Sequence, residues 1–135
     1  MEKIIYRNHV VHFFDNCPEE VVDRLKLFID HFLDFQDRLG VSNWWVEFSV
    51  LPPKDNSDSY AFVSWHYSGR CATCNVSTEL LTEHPEEMLA RCAFHEVCEL
   101  LLVDLAANLE AFLNEDYVRK MIHEVIRRLE NFVFA

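Results

Sequence analysis

One segment of the chain constrains the fold more than any other, because it is apolar on nearly every side of a helix. It runs from Val97 to Leu105, and a helix that is hydrophobic all round is typical of a buried central position. Pro85, followed by two glutamates, predicts the start of this helix, since proline suits a first turn and acidic side chains favour the positive end of the helix dipole. We therefore predict a central helix from about residue 85 to Leu109 or beyond.

Three polar side chains lie inside this apolar helix, namely His95, Glu96 and Glu99. Burying such groups is costly unless they are paired or bound to a metal ion. At about 100° per residue, His95 and Glu99 lie one turn apart on the same face and could grip one ion, while Glu96 lies on the flank. This is the logic of the zinc motif His-Glu-x-x-His, in which the glutamate is the general base. Here Glu99 replaces the second histidine, and carboxylates also bind zinc.

The residues alone leave two questions about this cluster open. The three side chains could instead form a buried hydrogen-bonded cluster with an arginine such as Arg119 or Arg128. A third metal ligand would come from the last helix, where His123 and Glu124 each lie about 130° from the centre of the apolar stripe, on opposite sides. Either of these two side chains could reach the site if the helix leans that way.

Capping residues and apolar spacing predict two further helices. Asn16 can cap a helix whose first turn holds Pro18, and Gly40 ends that helix. Asn114 caps a last helix, whose apolar residues recur at helical spacing as far as Val133.

Three strand-like runs, at 44–51, 60–67 and 70–77, lie between the first helix and the central one. Because they follow one another directly, we predict an antiparallel meander of three or four strands. Residues 4–14 form either a short strand or an extended arm. The predicted fold is α+β, a single domain over residues 1–135 with its helices mainly on one face of the sheet.

Composition narrows the classes of function. The net charge of −11 and the lack of a basic stripe make nucleic-acid binding improbable. Five cysteines, an odd number, and an N-terminus without an apolar signal segment argue against a secreted disulfide framework. The longest aliphatic cluster, Leu100 to Val103, is too short to span a membrane. We therefore expect a cytoplasmic protein, and its oligomeric state stays open.

The C-terminal half resembles the minigluzincin-type zinc metallopeptidases of phages and bacteria. In that family an antiparallel meander precedes an active-site helix of the pattern Ala-x-His-Glu-Leu-Leu-His, and a last helix follows with the pattern Glu-x-x-Val-x-Arg-Leu-Glu. The matching stretches here are 93–102 and 123–130, and the run 44–48 is similar to the first strand of the family. The resemblance covers about residues 20–133.

The resemblance implies a zincin-like fold and a ligand set of two histidines and one carboxylate. The family's second histidine is Glu99 here, and its third-ligand glutamate matches His123, so histidine and glutamate have exchanged places. This exchange preserves the total ligand charge and favours His123 over Glu124. The resemblance thus implies Zn²⁺ held by His95, Glu99 and His123, with Glu96 as general base in the hydrolysis of a peptide or protein that lies along an edge strand.

Two alternatives use the same residues. The chain could be a catalytically degenerate zincin-fold protein that binds a host or phage protein, and would then work in the host cytoplasm if it is phage-encoded. Glu96 discriminates between the two functions, because a binding module does not need it. A ligand set of two histidines and one carboxylate also suits non-haem iron, but a helical setting disfavours that interpretation.

The cysteines offer a weaker metal hypothesis. Cys71 and Cys74 are three apart in a predicted strand and so point to opposite faces, which favours packing over chelation for both. Cys92 shares the face of the predicted ligands and could line the site, although core packing is favoured. Cys98 lies on another face and is predicted to be in the core.

Overall fold

A computed structural model describes residues 2–53, 59–66 and 68–135. The strands in chain order are β1 (Glu2–Tyr6), β2 (His9–Phe13), β3 (Trp45–Leu51), β4 (Ala61–His66) and β5 (Cys71–Ser77). The helices are α1 (Glu19–Arg38), α2 (Thr78–Glu83), α3 (Glu86–Leu101), α4 (Val103–Glu110) and α5 (Glu115–Val133). The α+β class is therefore confirmed, and residues 4–14 belong to a hairpin of two strands rather than to an arm.

The strands form one mixed five-stranded sheet in the order β1-β2-β3-β5-β4. The predicted antiparallel meander is wrong, because β3 pairs with β5 in parallel and β4 lies outside β5 at the edge. Strand β4 follows β3 in the chain but lies beyond β5, with which it pairs in antiparallel orientation. Strand β5 takes an interior position between β3 and β4, and its alternate residues are buried, while β4 is mostly exposed.

One face of the sheet carries the hydrophobic core. Alternate residues of the two central strands are buried on this face: Val46, Phe48, Val50, Ala72, Cys74 and Val76. The ring of Phe32 on α1 meets that of Phe48 edge-on at 5.1 Å, and Phe35 meets Phe94 of α3 at 5.2 Å. Each fully buried aromatic ring contributes about 1.5–3 kcal/mol. These contacts fix α1 against the sheet and α3 against α1.

The ends of the first and last helices differ in how well they were predicted. Asn16 does not cap α1, because Asn16 itself has a φ of +61° and Pro18 occupies the cap position. Gly40 follows the end of α1 with a φ of +73°, which is the left-handed conformation expected there. Asn114 caps α5 as predicted, since its side chain accepts hydrogen bonds from the backbone N–H groups of Asp116 and Tyr117.

The predicted single central helix is divided in two. Helix α3 ends at Leu101, Leu102 takes a φ of −97° and a ψ of 4°, and α4 begins at Val103. Only the first of these two helices is deeply buried, because Leu105 on α4 is exposed. Apolar residues beyond Leu101 therefore do not all mark the core, and the prediction of a continuous buried helix to Leu109 is wrong.

In the part of the chain that the structure describes, no helix combines the length and the hydropathy that a membrane crossing needs.

Candidate metal centre

Two helices bring three of the predicted residues together. His95 and Glu99 lie one turn apart on α3, and His123 comes from α5, which packs beside it. The Oε1 atom of Glu99 lies 2.8 Å from Nε2 of His123 and 3.5 Å from Nε2 of His95. The centroids of the two imidazole rings are 5.6 Å apart. Glu99 is thus the central member of a His-Glu-His cluster.

The donor atoms of this cluster fit a single metal ion. Each of His95, Glu99 and His123 offers one ligand atom within 4.8 Å of the others. Two ligands of a tetrahedral zinc ion lie roughly 3.3–3.4 Å apart, since each is about 2.0–2.1 Å from the ion. The 3.5 Å separation between His95 and Glu99 agrees with this geometry, whereas the hydrogen bond from His123 to Glu99 would lengthen around an ion. Two imidazoles and one carboxylate are a known zinc ligand set.

The structure brings His123 to the pair on α3, and it places Glu124 elsewhere. The carboxylate of Glu124 is exposed and lies 3.0 Å from Nη1 of Arg127, one turn further along α5. Arg119, which could instead have paired with the buried glutamates, is also engaged elsewhere, because it pairs with Glu115 at 3.3 Å. The carboxylate of Glu99 is paired with His95 and His123.

Glu130 belongs to the centre, although its role was not predicted from the sequence. Its Oε1 lies 3.0 Å from Nδ1 of His95, so a protonated Nδ1 donates to the carboxylate and Nε2 is left facing Glu99. Such carboxylate–histidine pairs orient metal ligands and raise their basicity. A signal did exist, because Glu130 follows His123 by seven residues, two turns along the same face of α5.

Glu96 is buried beside the cluster, with only 6% of its surface exposed. Its carboxylate accepts a hydrogen bond from the backbone N–H of Val63 on β4. The backbone N–H of Ser77 donates to the carbonyl of Tyr60, so these two residues form a hydrogen-bonded pair of the antiparallel ladder. Because such pairs alternate along the ladder, the N–H of Val63 points away from β5. Glu96 therefore lies against the outer edge of β4, next to the predicted metal ligands.

Burial and neighbouring charges shift the pKa values of these groups. Desolvation by burial and the charge of Glu99 raise the pKa of Glu96 to about 8, although His95 opposes this. Burial lowers the pKa of His95, but hydrogen bonding to Glu99 and the charges of Glu96 and Glu130 outweigh it and raise that pKa to about 9. For Glu99 burial raises the pKa, and the two histidines overcome that effect and lower it below its usual value.

Two cavities are lined by both His95 and Glu96. The larger, of about 390 Å³, also contacts Glu99, His123, Arg119 and the aromatic residues of β4. The smaller, of about 300 Å³, also contacts Met88, Cys92 and Glu130. Both cavities therefore border the cluster and the residues of β4 or the segment before it.

The cysteines follow the predictions in part. Cys74 is buried and Cys71 is exposed on the opposite face of β5, so the two do not form a chelating pair. The prediction of buried packing is confirmed for Cys74 and wrong for Cys71. Cys98 is in the core as predicted. Cys92 is half-buried and lines the smaller cavity.

Comparison with known proteins adds no family to this geometry. The chain matches no family model, no curated protein and no solved structure at a significant level.

Proposed function

We propose that the chain is a zinc-dependent hydrolase with a zincin-like site, acting as a peptidase. One observation carries the proposal, namely that ligand atoms of His95, Glu99 and His123 lie within 4.8 Å of one another. They lie at the surface of a cavity that also contacts the buried carboxylate of Glu96. This combination supports a metal centre with a proton acceptor beside it.

The three ligands would hold the ion from α3 and α5, and Glu130 would orient His95 through its Nδ1. A bound zinc ion supplies Lewis acidity and lowers the pKa of water in its open coordination position. The choice of zinc rests on its preference for imidazole and carboxylate ligands.

Glu96 would act as the general base. Its carboxylate takes a proton from the attacking water and returns it to the nitrogen of the departing amine. Burial raises the pKa of Glu96 to about 8 in the metal-free fold. The charge of a bound ion would lower that pKa, so that the carboxylate is ionised and can accept the proton. The N–H of Val63 holds the carboxylate in place.

The position of β4 supports an extended peptide as substrate. Among the strands that the structure describes, β4 pairs with β5 alone. Its outer edge therefore has no strand partner, although the N–H of Val63 on that edge is taken by Glu96. An extended peptide can add to such an edge through main-chain hydrogen bonds. The same edge borders the larger cavity through Ala61, Val63 and Trp65.

Elemental analysis of protein purified without added metal tests the proposal. Wild type should contain about one equivalent of zinc, and His95→Ala should contain none. His31→Ala is a matched control, because His31 also pairs with a glutamate at 3.0 Å but lies outside the cluster. No metal in the wild-type protein, or equal zinc in wild type and His95→Ala, would contradict the proposal.

The catalytic part of the proposal has its own test. Glu96→Gln should retain zinc and lose cleavage of a quenched fluorescent peptide library, because the amide cannot accept the proton. Unchanged cleavage by this variant would remove Glu96 from the mechanism.

A second candidate function is a protein-binding module on a degenerate site. It is favoured by the number of large apolar side chains that are exposed on α4, on α5 and between them, among them Phe112 at 87% and Phe132 at 84%, since patches of such groups mark interaction surfaces. Such a module would bind its partner equally well after Glu96→Gln, whereas Phe112→Ser or Phe132→Ser would weaken binding.

A further inference from the structure

The larger cavity contains one cationic side chain that the proposed chemistry does not use. Arg119 lies on α5 one turn before His123, so both side chains point from the same face of the helix. Among the described residues that line this cavity, Arg119 is the sole lysine or arginine. A guanidinium therefore stands at the wall of the candidate metal centre.

The contact that Arg119 makes now is weak. Its Nη2 lies 3.3 Å from Oε1 of Glu115, and the two side chains are 66% and 67% exposed. Exposed ion pairs of this kind contribute between zero and about 1 kcal/mol. The guanidinium can therefore exchange Glu115 for another carboxylate at little cost.

The charge around the cavity makes this cation notable. The chain carries 23 acidic and 12 basic side chains, and Glu96, Glu99 and Glu130 lie at the centre itself. Such surroundings disfavour an anionic ligand unless a positive group, here Arg119 or a bound metal ion, lies beside it. Arginine also presents a planar fork that matches a carboxylate in two parallel hydrogen bonds.

We propose that Arg119 binds a carboxylate of the substrate, so that the enzyme prefers peptides with a carboxylate close to the scissile bond. This inference rests on the proposed peptidase function. The carboxylate belongs either to the C-terminus of the peptide or to an acidic side chain. Phe62 and Trp65 form an apolar part of the same wall, which suits an apolar residue beside the carboxylate.

A binding experiment on protein that cannot turn over tests the inference. The zinc-loaded Glu96→Gln protein is titrated calorimetrically with acetyl-Ala-Ala-Phe-Ala-Ala as free acid and as amide. Acetyl-Ala-Ala-Phe-Glu-Ala-amide and its glutamine counterpart test the side chain as the source of the carboxylate. At least one of the two peptides that carry the additional carboxylate should bind about 10- to 100-fold more tightly than its neutral counterpart, which is the gain expected from a charge-assisted hydrogen bond.

Variants in that background assign the preference to Arg119. Arg119→Gln should abolish it, and Arg119→Lys should restore it only in part, because an ammonium keeps the charge but not the fork. Arg127→Gln is the matched control, since Arg127 also pairs with a glutamate on α5 and is 66% exposed. It should leave every affinity unchanged.

The possible failures can be told apart by measuring zinc in each variant. Absence of zinc from the parent protein would contradict the proposed function itself. If zinc is bound but the acid and neutral peptides bind equally, or none of them binds, the inference about Arg119 is wrong while the metal centre stands. Complete rescue by Arg119→Lys would show that Arg119 binds the carboxylate through its charge alone. A loss of zinc in Arg119→Gln would show that Arg119 supports the folded centre instead, and would contradict the inference.

Discussion

At the scale of single residues, the candidate metal centre depends on which nitrogen of His95 is directed toward Glu99 and His123. Glu130 accepts from Nδ1 at 3.0 Å and leaves Nε2 directed toward Glu99. This choice of tautomer is a property of the pair and not of the histidine alone.

Replacing Glu130 by glutamine should lower zinc affinity by about 10- to 100-fold, because the amide orients His95 less firmly and withdraws the negative charge. Competition titration with a chromophoric zinc chelator measures the change. Glu124→Gln serves as the control, since Glu124 lies on the same helix and pairs with Arg127. Equal affinities for the two variants would show that Glu130 does not support the ligand.

Sequence reasoning reached the residues of α3 more easily than their partner on α5. His95, Glu96 and Glu99 stand out because each is a polar group in an apolar helix, and burial alone demands an explanation for them. Glu130 has no such mark, because glutamates near the end of an amphipathic helix are usually exposed. Its role depends on how α5 packs against α3, which local spacing does not determine.

At the scale of elements, α5 positions two members of the centre, His123 and Glu130, through a narrow apolar stripe. Val118, Ile122 and Ile126 are its buried residues. Helix stability in a protein comes mainly from packing of such a face. The centre therefore depends on the docking of α5 as well as on its own ligands.

Ile126→Ala should lower the free energy of unfolding by about 2–4 kcal/mol, because it leaves a cavity beneath α5. Its neighbour Val125 is 44% exposed, whereas Ile126 is fully buried, so Val125→Ala should cost less than about 1 kcal/mol. Urea denaturation followed by circular dichroism provides both values. Similar losses for the two variants would mean that α5 does not dock through this face.

The positions of the strands could be predicted from the sequence, but their order in the sheet could not. Strand positions at 44–51, 60–67 and 70–77 were predicted within a few residues, because aromatic and β-branched runs mark them. Their pairing was not, because neighbours in sequence are usually neighbours in space. Here the more deeply buried β5 takes the place beside β3, and β4 becomes the edge strand that meets Glu96.

At the scale of the whole molecule, two carboxylates and two histidines join α3 to α5, and Glu96 is buried beside them. Protons and metal ions should therefore both act on global stability. The pKa values of Glu96 and His95 are raised to about 8 and about 9 in the metal-free fold. A raised pKa means that the folded state binds more protons than the unfolded chain does. Stability then falls as pH rises.

Metal-free protein should therefore lose several kcal/mol of stability between about pH 5 and pH 9, since each unit of pKa shift corresponds to about 1.4 kcal/mol. The stability that Glu96 contributes is complete below its ordinary pKa and is lost as the pH rises through about 8. The stability that His95 contributes is lost as the pH rises through about 9. Zinc binds deprotonated ligands, so saturating zinc should reverse the slope. Urea denaturation with a chelator or with zinc at pH 5, 7 and 9 measures this, and metal-free stability that rises with pH would contradict the assignment.

A crystal of protein purified without added metal provides the most direct measurement, through anomalous diffraction on the two sides of the zinc absorption edge. We expect one strong anomalous peak bonded by Nε2 of His95, Nε2 of His123 and a carboxylate oxygen of Glu99, each at about 2.0–2.2 Å. No peak after zinc soaking, or a peak bonded by other residues, would contradict the metal centre from which the proposed activity follows.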